Sequence, residues 1–151
     1  MELTGSRTIA ADRMTVWTHL NDPDTLRESI PGCQDLTGSA EEGFAATVKQ
    51  KIGPVKATFK GTVTLSDVVE GESYRISGEG SGGVAGFAKG AARVRLEDVP
   101  EGTELTYEVE AHVGGKIAQL GARLINGAAR KMADQFFDNF QAHVEKPQDA
   151  A

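Results

Sequence analysis

The stretch Leu105-Thr106-Tyr107-Glu108-Val109-Glu110-Ala111-His112-Val113-Gly114-Gly115-Lys116-Ile117-Ala118-Gln119-Leu120-Gly121-Ala122-Arg123-Leu124 changes its period half-way. Up to Val113 the apolar residues alternate with Thr106, Glu108, Glu110 and His112, the period of a half-buried strand. Beyond Lys116, the residues Ile117, Leu120, Leu124 and Ala128 fall on one helical stripe. Lys116, Arg123 and Arg130 repeat on another side, which is expected to face solvent. The switch predicts a strand that feeds a C-terminal helix over roughly residues 115–144, ~40 Å long at ~1.5 Å per residue. In its second half the apolar phase drifts to Phe136, Phe137 and Phe140. Either the helix bends near Gly127, or this half packs on a different partner.

Working back from that switch, the chain reads as strands. Val55, Ala57, Phe59, Gly61, Val63 and Leu65 alternate with Lys56, Thr58, Lys60, Thr62 and Thr64, the cleanest period-2 stretch in the sequence. The first set is expected to face inward and the lysines outward. Phe44 to Ile52 alternates in the same way and is joined to it by a turn at Gly53 and Pro54. Further strands carry Tyr74, Ile76, Gly78 and Gly80, then Val94 and Leu96. At the N-terminus, Glu2 to Ile9 is a strand candidate whose inward side is hard to name. Leu3, Gly5, Arg7 and Ile9 share one face, and Arg7 is charged. Asp12 then reads as a helix cap, followed by Met14, Val16, Trp17 and Leu20 at helical spacing. A second short helix is expected from Asp24 to Ser29, ended by Ile30, Pro31 and Gly32. These two helices are the natural partner for Phe136, Phe137 and Phe140.

The order is one strand, two short helices, about six strands and one long helix. The fold class it predicts is α+β of the helix-grip kind: a curved, seven-stranded antiparallel sheet around a C-terminal helix.

Composition sets the outer limits. The chain has 151 residues, 39% hydrophobic and 25% charged, a globular balance that can bury a core. The formal net charge of −6 argues against nucleic acid as a partner. One cysteine cannot form an internal disulfide or a site of several thiolates. Neither an apolar run of membrane-spanning length nor an apolar signal core is present, so the expected location is the cytoplasm.

The strand face that should touch the helix is short of bulk. Ala46, Ala57, Gly61, Gly78, Gly80, Gly90, Ala92 and Ala111 all fall on it. Interiors are close-packed, so a concave face without large side chains leaves a hollow. The other reading is that these glycines only permit strong curvature and bulging of the sheet. For a hollow, the expected lining is Phe44, Val48, Phe59, Val63, Ile76, Tyr107, Val109, Ile117, Leu120 and Leu124, between the sheet and the first half of the long helix. Such a wall suits a lipophilic small molecule. Filling it by Gly61→Leu or Ala92→Phe should block uptake with little loss of fold.

Several local patterns do not carry chemistry. Gly78-Glu79-Gly80-Ser81-Gly82-Gly83 matches the G-x-G-x-x-G spacing, but a dinucleotide site needs a helix to start there and Val84 to Leu96 reads as a strand. His19, His112 and His143 lack a second ligand at metal spacing. Cys33 reads as a buried structural thiol in a turn. The strand carboxylates sit on the outer face, so no acid/base pair points inward. Gln50, Tyr74 and Tyr107 are the only polar groups that could work inside. No catalytic residue, metal or cofactor is expected.

Ile30-Pro31-Gly32-Cys33 after two short helices, the block Val113 to Ile125, and Phe136-Phe137 together resemble the CoxG family of carbon monoxide dehydrogenase subunits, within the SRPBCC or START-like superfamily. The resemblance runs from Leu3 to about Val144. It implies one domain over residues 1–146, with 147–151 a loose tail. It also implies a non-catalytic accessory protein of aerobic molybdenum CO dehydrogenases or related hydroxylases, which helps to place the enzyme at the inner face of the membrane and carries a quinone or lipid. Many relatives continue into a linker and an apolar C-terminal anchor where this sequence ends at Ala151, so this chain is not expected to anchor itself. Two other readings stay open: an interaction and assembly protein with an incidental cavity, and a START-like cyclase or hydrolase.

Overall fold

The computed structural model describes residues 1–145. Seven strands form one antiparallel sheet: β1 (Glu2–Ile9), β2 (Cys33–Ser39), β3 (Gly43–Ile52), β4 (Val55–Val69), β5 (Ser73–Ser81), β6 (Phe87–Val99) and β7 (Gly102–Gly114). Their order across the sheet is β1-β7-β6-β5-β4-β3-β2, so each strand from β2 to β7 pairs with its neighbour in sequence and β1 closes on β7. Between β1 and β2 lie α1 (Arg13–Leu20) and α2 (Pro23–Ser29), and α3 (Ala122–Val144) follows β7. This is the helix-grip arrangement that the period switch predicts.

Exposure along β4 alternates from a buried Val55 and an exposed Lys56 to a half-buried Leu65, which puts Val55, Ala57, Phe59, Gly61, Val63 and Leu65 on the concave face. Strand β2 carries no such signal. Leu36 is its only buried residue, and Cys33, expected in a turn, begins it. Arg7 does point to the concave side, because α3 supplies its partners. Its Nη1 donates to Asp138 Oδ1 at 2.7 Å and its Nη2 to the Asp134 carbonyl at 3.2 Å. Arg130 and Gln141 of α3 also donate to backbone carbonyls of β1, at Thr4 and Thr8. The edge strand is therefore latched to the helix by polar contacts.

Both short helices are capped from the sequence. Asp12 accepts from the Thr15 amide, and Asp22 accepts from the amide and hydroxyl of Thr25 at 3.1 and 2.7 Å. With Pro23 at the first helical position, Asp22 starts α2 directly after Asn21 has capped the end of α1.

The expected continuous helix over residues 115–144 is corrected. Lys116–Leu120 forms one stretch of 3₁₀ helix, and α3 begins at Ala122. Gly121 separates them with φ +93°, a left-handed conformation that ends a right-handed helix. The break falls there and not near Gly127, which lies inside α3 with open space beside its Cα.

The apolar interior is divided. One cluster gathers Val16, Trp17 and Leu20 of α1, Phe137, Phe140 and Val144 of α3, and Tyr74, Val94, Leu105 and Tyr107 of the sheet. The drift of the helical phase toward the phenylalanines is thus explained by packing on the N-terminal helices. Val55, Ala85 and Ile117 form a second cluster at the other end, where the β3–β4 hairpin meets the two 3₁₀ turns.

Candidate functional site

The space between the two clusters follows from strand register. Ala46 pairs with Gly61, Gly61 with Gly80, and Gly80 with Ala88. The adjacent row runs Val63, Gly78, Gly90, Ala111. Small residues are therefore stacked side by side across the sheet, and the depression they leave is continuous.

The glycines do two different things. A Cβ on Gly61 would lie 2.8 Å from the Glu79 carbonyl oxygen, and one on Gly90 would lie 2.6 Å from that of Glu110. Those positions bring neighbouring backbones together, as the curvature reading requires. A Cβ on Gly80 would meet nothing nearer than 3.5 Å, and Ala46 and Ala92 have their methyls on the cavity wall. These positions leave room, as the hollow reading requires.

The hollow has a deep and an open part. A chamber of about 260 Å³ lies against the larger cluster, walled by Leu20, Leu36, Phe44, Ile76, Ala133 and Phe136 among others. It shares Ile30, Ala46, Val63, Ile76, Ala92 and Val109 with an open trough of about 530 Å³ that continues past Val48, Phe59 and Met132. Seven of the ten expected lining residues, Phe44, Val48, Phe59, Val63, Ile76, Tyr107 and Val109, stand on these walls.

Three do not. Ile117 is buried in the second cluster with Leu120 packed beside it, and Leu124 is 40% exposed. The break at Gly121 turns the residues before it into that cluster and carries α3 away along the edge of the sheet. The helical wall is instead supplied from the middle of α3, by Met132, Ala133, Phe136 and Phe137. From sequence, Phe136 and Phe137 are expected only to pack on the two short helices. Their i, i+4 spacing with Met132 and Ala133 was the signal that they share the face toward the sheet.

The chamber is almost free of polar groups. Tyr74 and Tyr107 are its only ionisable side chains. Tyr107 stacks on Phe137 with ring centroids 4.8 Å apart. Tyr74 meets Trp17 edge-on at 5.3 Å. Burial pushes the Tyr74 phenol far above its ordinary value, so it stays protonated. Tyr74 belongs to the larger core cluster and also lines the chamber.

The remaining candidates lie elsewhere. Gln50 uses its amide on the Pro31 carbonyl at 2.5 Å and so fixes the exit from α2. Cys33 is half-buried rather than buried; burial raises its thiol, which donates to the Asp35 carbonyl at 3.4 Å. His143 faces Glu28 at 3.0 Å, His19 contacts the Thr25 hydroxyl at 3.1 Å, and His112 is exposed on the convex face. Among the described residues no cluster of His, Cys, Asp or Glu could hold a metal ion. Gly83–Ala85 is a single 3₁₀ turn that leads into β6, so the G-x-G-x-x-G match has no helix behind it. Among the described residues no helix is long and apolar enough to cross a membrane.

A seven-stranded curved sheet, closed by a C-terminal helix and two short helices around an apolar chamber, defines the START-like class of the SRPBCC superfamily. Within it the chain belongs to the CoxG family of carbon monoxide dehydrogenase subunits, whose sequence profile matches residues 5–145. A conserved protein from Geobacillus kaustophilus is 29% identical, with 97% of this chain and 96% of that one covered and a TM-score of 0.89. A protein from Rhizobium leguminosarum is 16% identical over 97% of this chain and 95% of that one, with a TM-score of 0.73. Ara h 8.0201 is 12% identical over 95% and 97%, with a TM-score of 0.66, a likeness of fold alone. No curated protein matches the sequence.

Proposed function

We propose that this protein is a non-catalytic carrier that holds a lipophilic small molecule, a quinone or a lipid, in the chamber and trough. We assign it as an accessory to a molybdenum CO dehydrogenase or related hydroxylase, on the strength of its family. The observation that carries the reading is the chamber itself. It is apolar on every side and continuous with an open trough. The chamber's lining includes no Asp, Glu, His, Lys or Cys. Such a wall favours transfer of apolar surface out of water at roughly 25 cal/mol per Å². It has no group that could exchange a proton with a substrate near neutral pH. The Tyr74 hydroxyl would donate to a ligand carbonyl and orient it.

The test has two steps. Organic extraction of the purified protein, followed by mass spectrometry, should yield one dominant lipophilic species in near-equal amount to protein. Titration of emptied protein with a quinone should quench Trp17, because Trp17 touches Tyr74 on the chamber wall. Tyr74→Phe should weaken quinone binding by roughly 3- to 10-fold, the worth of one hydrogen bond. An empty extract together with an unquenched Trp17 would overturn the reading.

A further inference from the structure

Every large apolar side chain that stays exposed among the described residues stands at one end of the sheet or the other. Val84, Phe87 and Leu124 gather where the β3–β4 hairpin meets the two 3₁₀ turns. Met14, Val68 and Val69 gather at the far end, where α1 meets the β4–β5 turn. There a Cβ on Gly71 would lie 2.7 Å from the Met14 sulfur, and the Arg13 guanidinium donates to the Gly71 carbonyl at 3.1 Å. Strand β4 spans the distance, from Val55 at the first end to Val69 at the second. The backbone itself exposes the second group. Asp67 takes φ +50°, and the register of β4 against β5 slips between Ser66 and Val69. A regular strand would turn one of two successive residues inward, whereas this bulge leaves Val68 and Val69 53% and 47% exposed.

The two ends carry opposite charge. Residues 43–66, 80–96 and 111–133 contain no Asp or Glu, and their Lys51, Lys56, Lys116 and Arg123 rim the Val84 end. Lys51 and Lys56 are direct partners across the β3–β4 hairpin, and directly opposed like charges destabilise a strand pair. Residues 66–72 and 97–104 contain no Lys or Arg, and their Asp67, Glu70, Glu97 and Glu101 rim the Val68 end. Arg13 ties these two turns together, reaching Asp98 at 3.2 Å and Glu72 at 3.9 Å. The rim residues of both ends are exposed, and among the described residues none of them forms an ion pair.

We propose that the partner of each end is a second copy of this chain, with the Lys51–Lys56 end of one molecule seated on the Asp67–Glu70 end of the next. Each end meets in the other the two things it lacks: apolar surface to cover its own, and counter-charge for its rim. The opposed Lys51–Lys56 pair, unfavourable in the free protein, is then offset by carboxylates. Two like ends would bring the same sign together, so copies do not join through the same patch twice. The contact is heterologous, and copies add in line or close a ring. A partner of one charge sign would satisfy one end only and leave the apolar group of the other in water. The net charge of −6 opposes random encounter between copies, so the ends select the orientation in which they meet. The contact uses neither the chamber nor the trough and does not rest on the carrier reading.

The experiment is sedimentation velocity of the full chain over a range of concentrations. At low salt the average mass should climb above that of a single chain as concentration rises, with no ceiling at two copies. In about 1 M sodium chloride, where the screening length is ~3 Å, it should return to the single-chain value. Lys51→Gln/Lys56→Gln/Val84→Ser disarms one end, and Val68→Ser/Glu70→Gln/Glu101→Gln disarms the other. Each variant alone should associate roughly tenfold more weakly than the wild type, or less. Mixed in equal amounts, the two should associate again and stop at two copies, because each keeps one intact end. Arg93→Gln/Glu108→Gln, a cross-strand pair exposed in the middle of the sheet, should associate like the wild type. All the substituted side chains are exposed, and a cooperative thermal melt of each variant shows that it folds. A single-chain mass at every concentration in low salt, or a wild type that stops at two copies, would overturn the proposal. So would a mixture of the two end variants no heavier than either alone, or a loss in the Arg93/Glu108 variant equal to that at the ends.

Discussion

A Cβ atom placed on Gly53 would lie 2.8 Å from Leu124 Cδ2. The tip of the β3–β4 hairpin thus rests on the first turn of α3, just beyond the break at Gly121. Gly53 adopts φ +58°, a conformation that L side chains rarely take, and the absent side chain leaves the space that Leu124 fills. The hairpin that Gly53 closes carries Phe59, which lines the trough. Leu124→Ala should speed release of a bound lipophile several-fold in a stopped-flow experiment. It should cost only about 1 kcal/mol of stability, because Leu124 is 40% exposed and only part of its apolar surface is buried. An unchanged release rate would show that ligand does not leave past this point.

Ala92 and Gly61 both belong to the small concave face, and they should respond differently to added bulk. Ala92 lines the chamber and the trough. Ala92→Phe should therefore lower ligand affinity by more than tenfold while the protein still melts cooperatively. A Cβ added to Gly61 would press on the Glu79 carbonyl oxygen and on the Cα of Gly80. Gly61→Leu should destabilise the fold by ~1–3 kcal/mol through overpacking, contrary to the expectation from sequence that it would enter empty space. Chemical denaturation of the two variants side by side decides the matter. Equal loss of stability would mean that the face is a packed core at both positions.

Gly5 and Tyr107 are direct partners in the β1–β7 register. A Cβ on Gly5 would fall within van der Waals overlap of the phenol ring, 2.5 Å from Cζ. The ring cannot simply swing aside, since its other face is stacked on Phe137. Gly5→Ala is expected to cost ~1–3 kcal/mol in urea denaturation. It should also disturb the chamber wall, which a drop in ligand affinity would register. A neutral Gly5→Ala would mean that the stack yields freely.

How much of this could be read beforehand depended on whether a residue's neighbours were local. The phase of β4 was legible because Val55 to Leu65 alternates with lysines and threonines, and one buried face fixes register. The hollow was legible because Ala46, Gly61, Gly78 and Ala92 could be placed on one face by counting twos. Strand β2 was not, because an edge strand with one apolar residue has no period. Arg7 could not be placed because its partners Asp134 and Asp138 are more than 120 residues away. The expected helix is too long because Ile117, Leu120 and Leu124 keep helical spacing through the turn that Gly121 interrupts. A 3₁₀ turn followed by a left-handed glycine leaves that spacing nearly intact. The same spacing points to Leu120 and Leu124 as lining, where the structure has Met132 and Phe136.

Asp22 offers a test in which pH separates the capping contact from general acid effects. Burial alone would raise its carboxyl, but the hydroxyl and amide of Thr25 both donate to it and hold it below the ordinary carboxylate value. A carboxyl with a lowered folded-state value adds stability above the unfolded value of ~4, and loses that contribution as pH falls through the lowered value. Asp22→Ala should therefore destabilise by ~1 kcal/mol at neutral pH. The gap to the wild type should hold down to about pH 4 and close below it, as the wild-type carboxyl takes up its proton. The linked effect is on position as well as stability. Residue Thr25, held by this cap, is fully buried beneath α1, and Leu26 and Ile30 of the same segment line the chamber. Loss of the cap should thus loosen one wall and weaken ligand binding over the same pH range. A stability difference that stayed constant from pH 7 to pH 3 would show that the carboxylate charge takes no part in holding α2, and that Thr25 packing alone sets it.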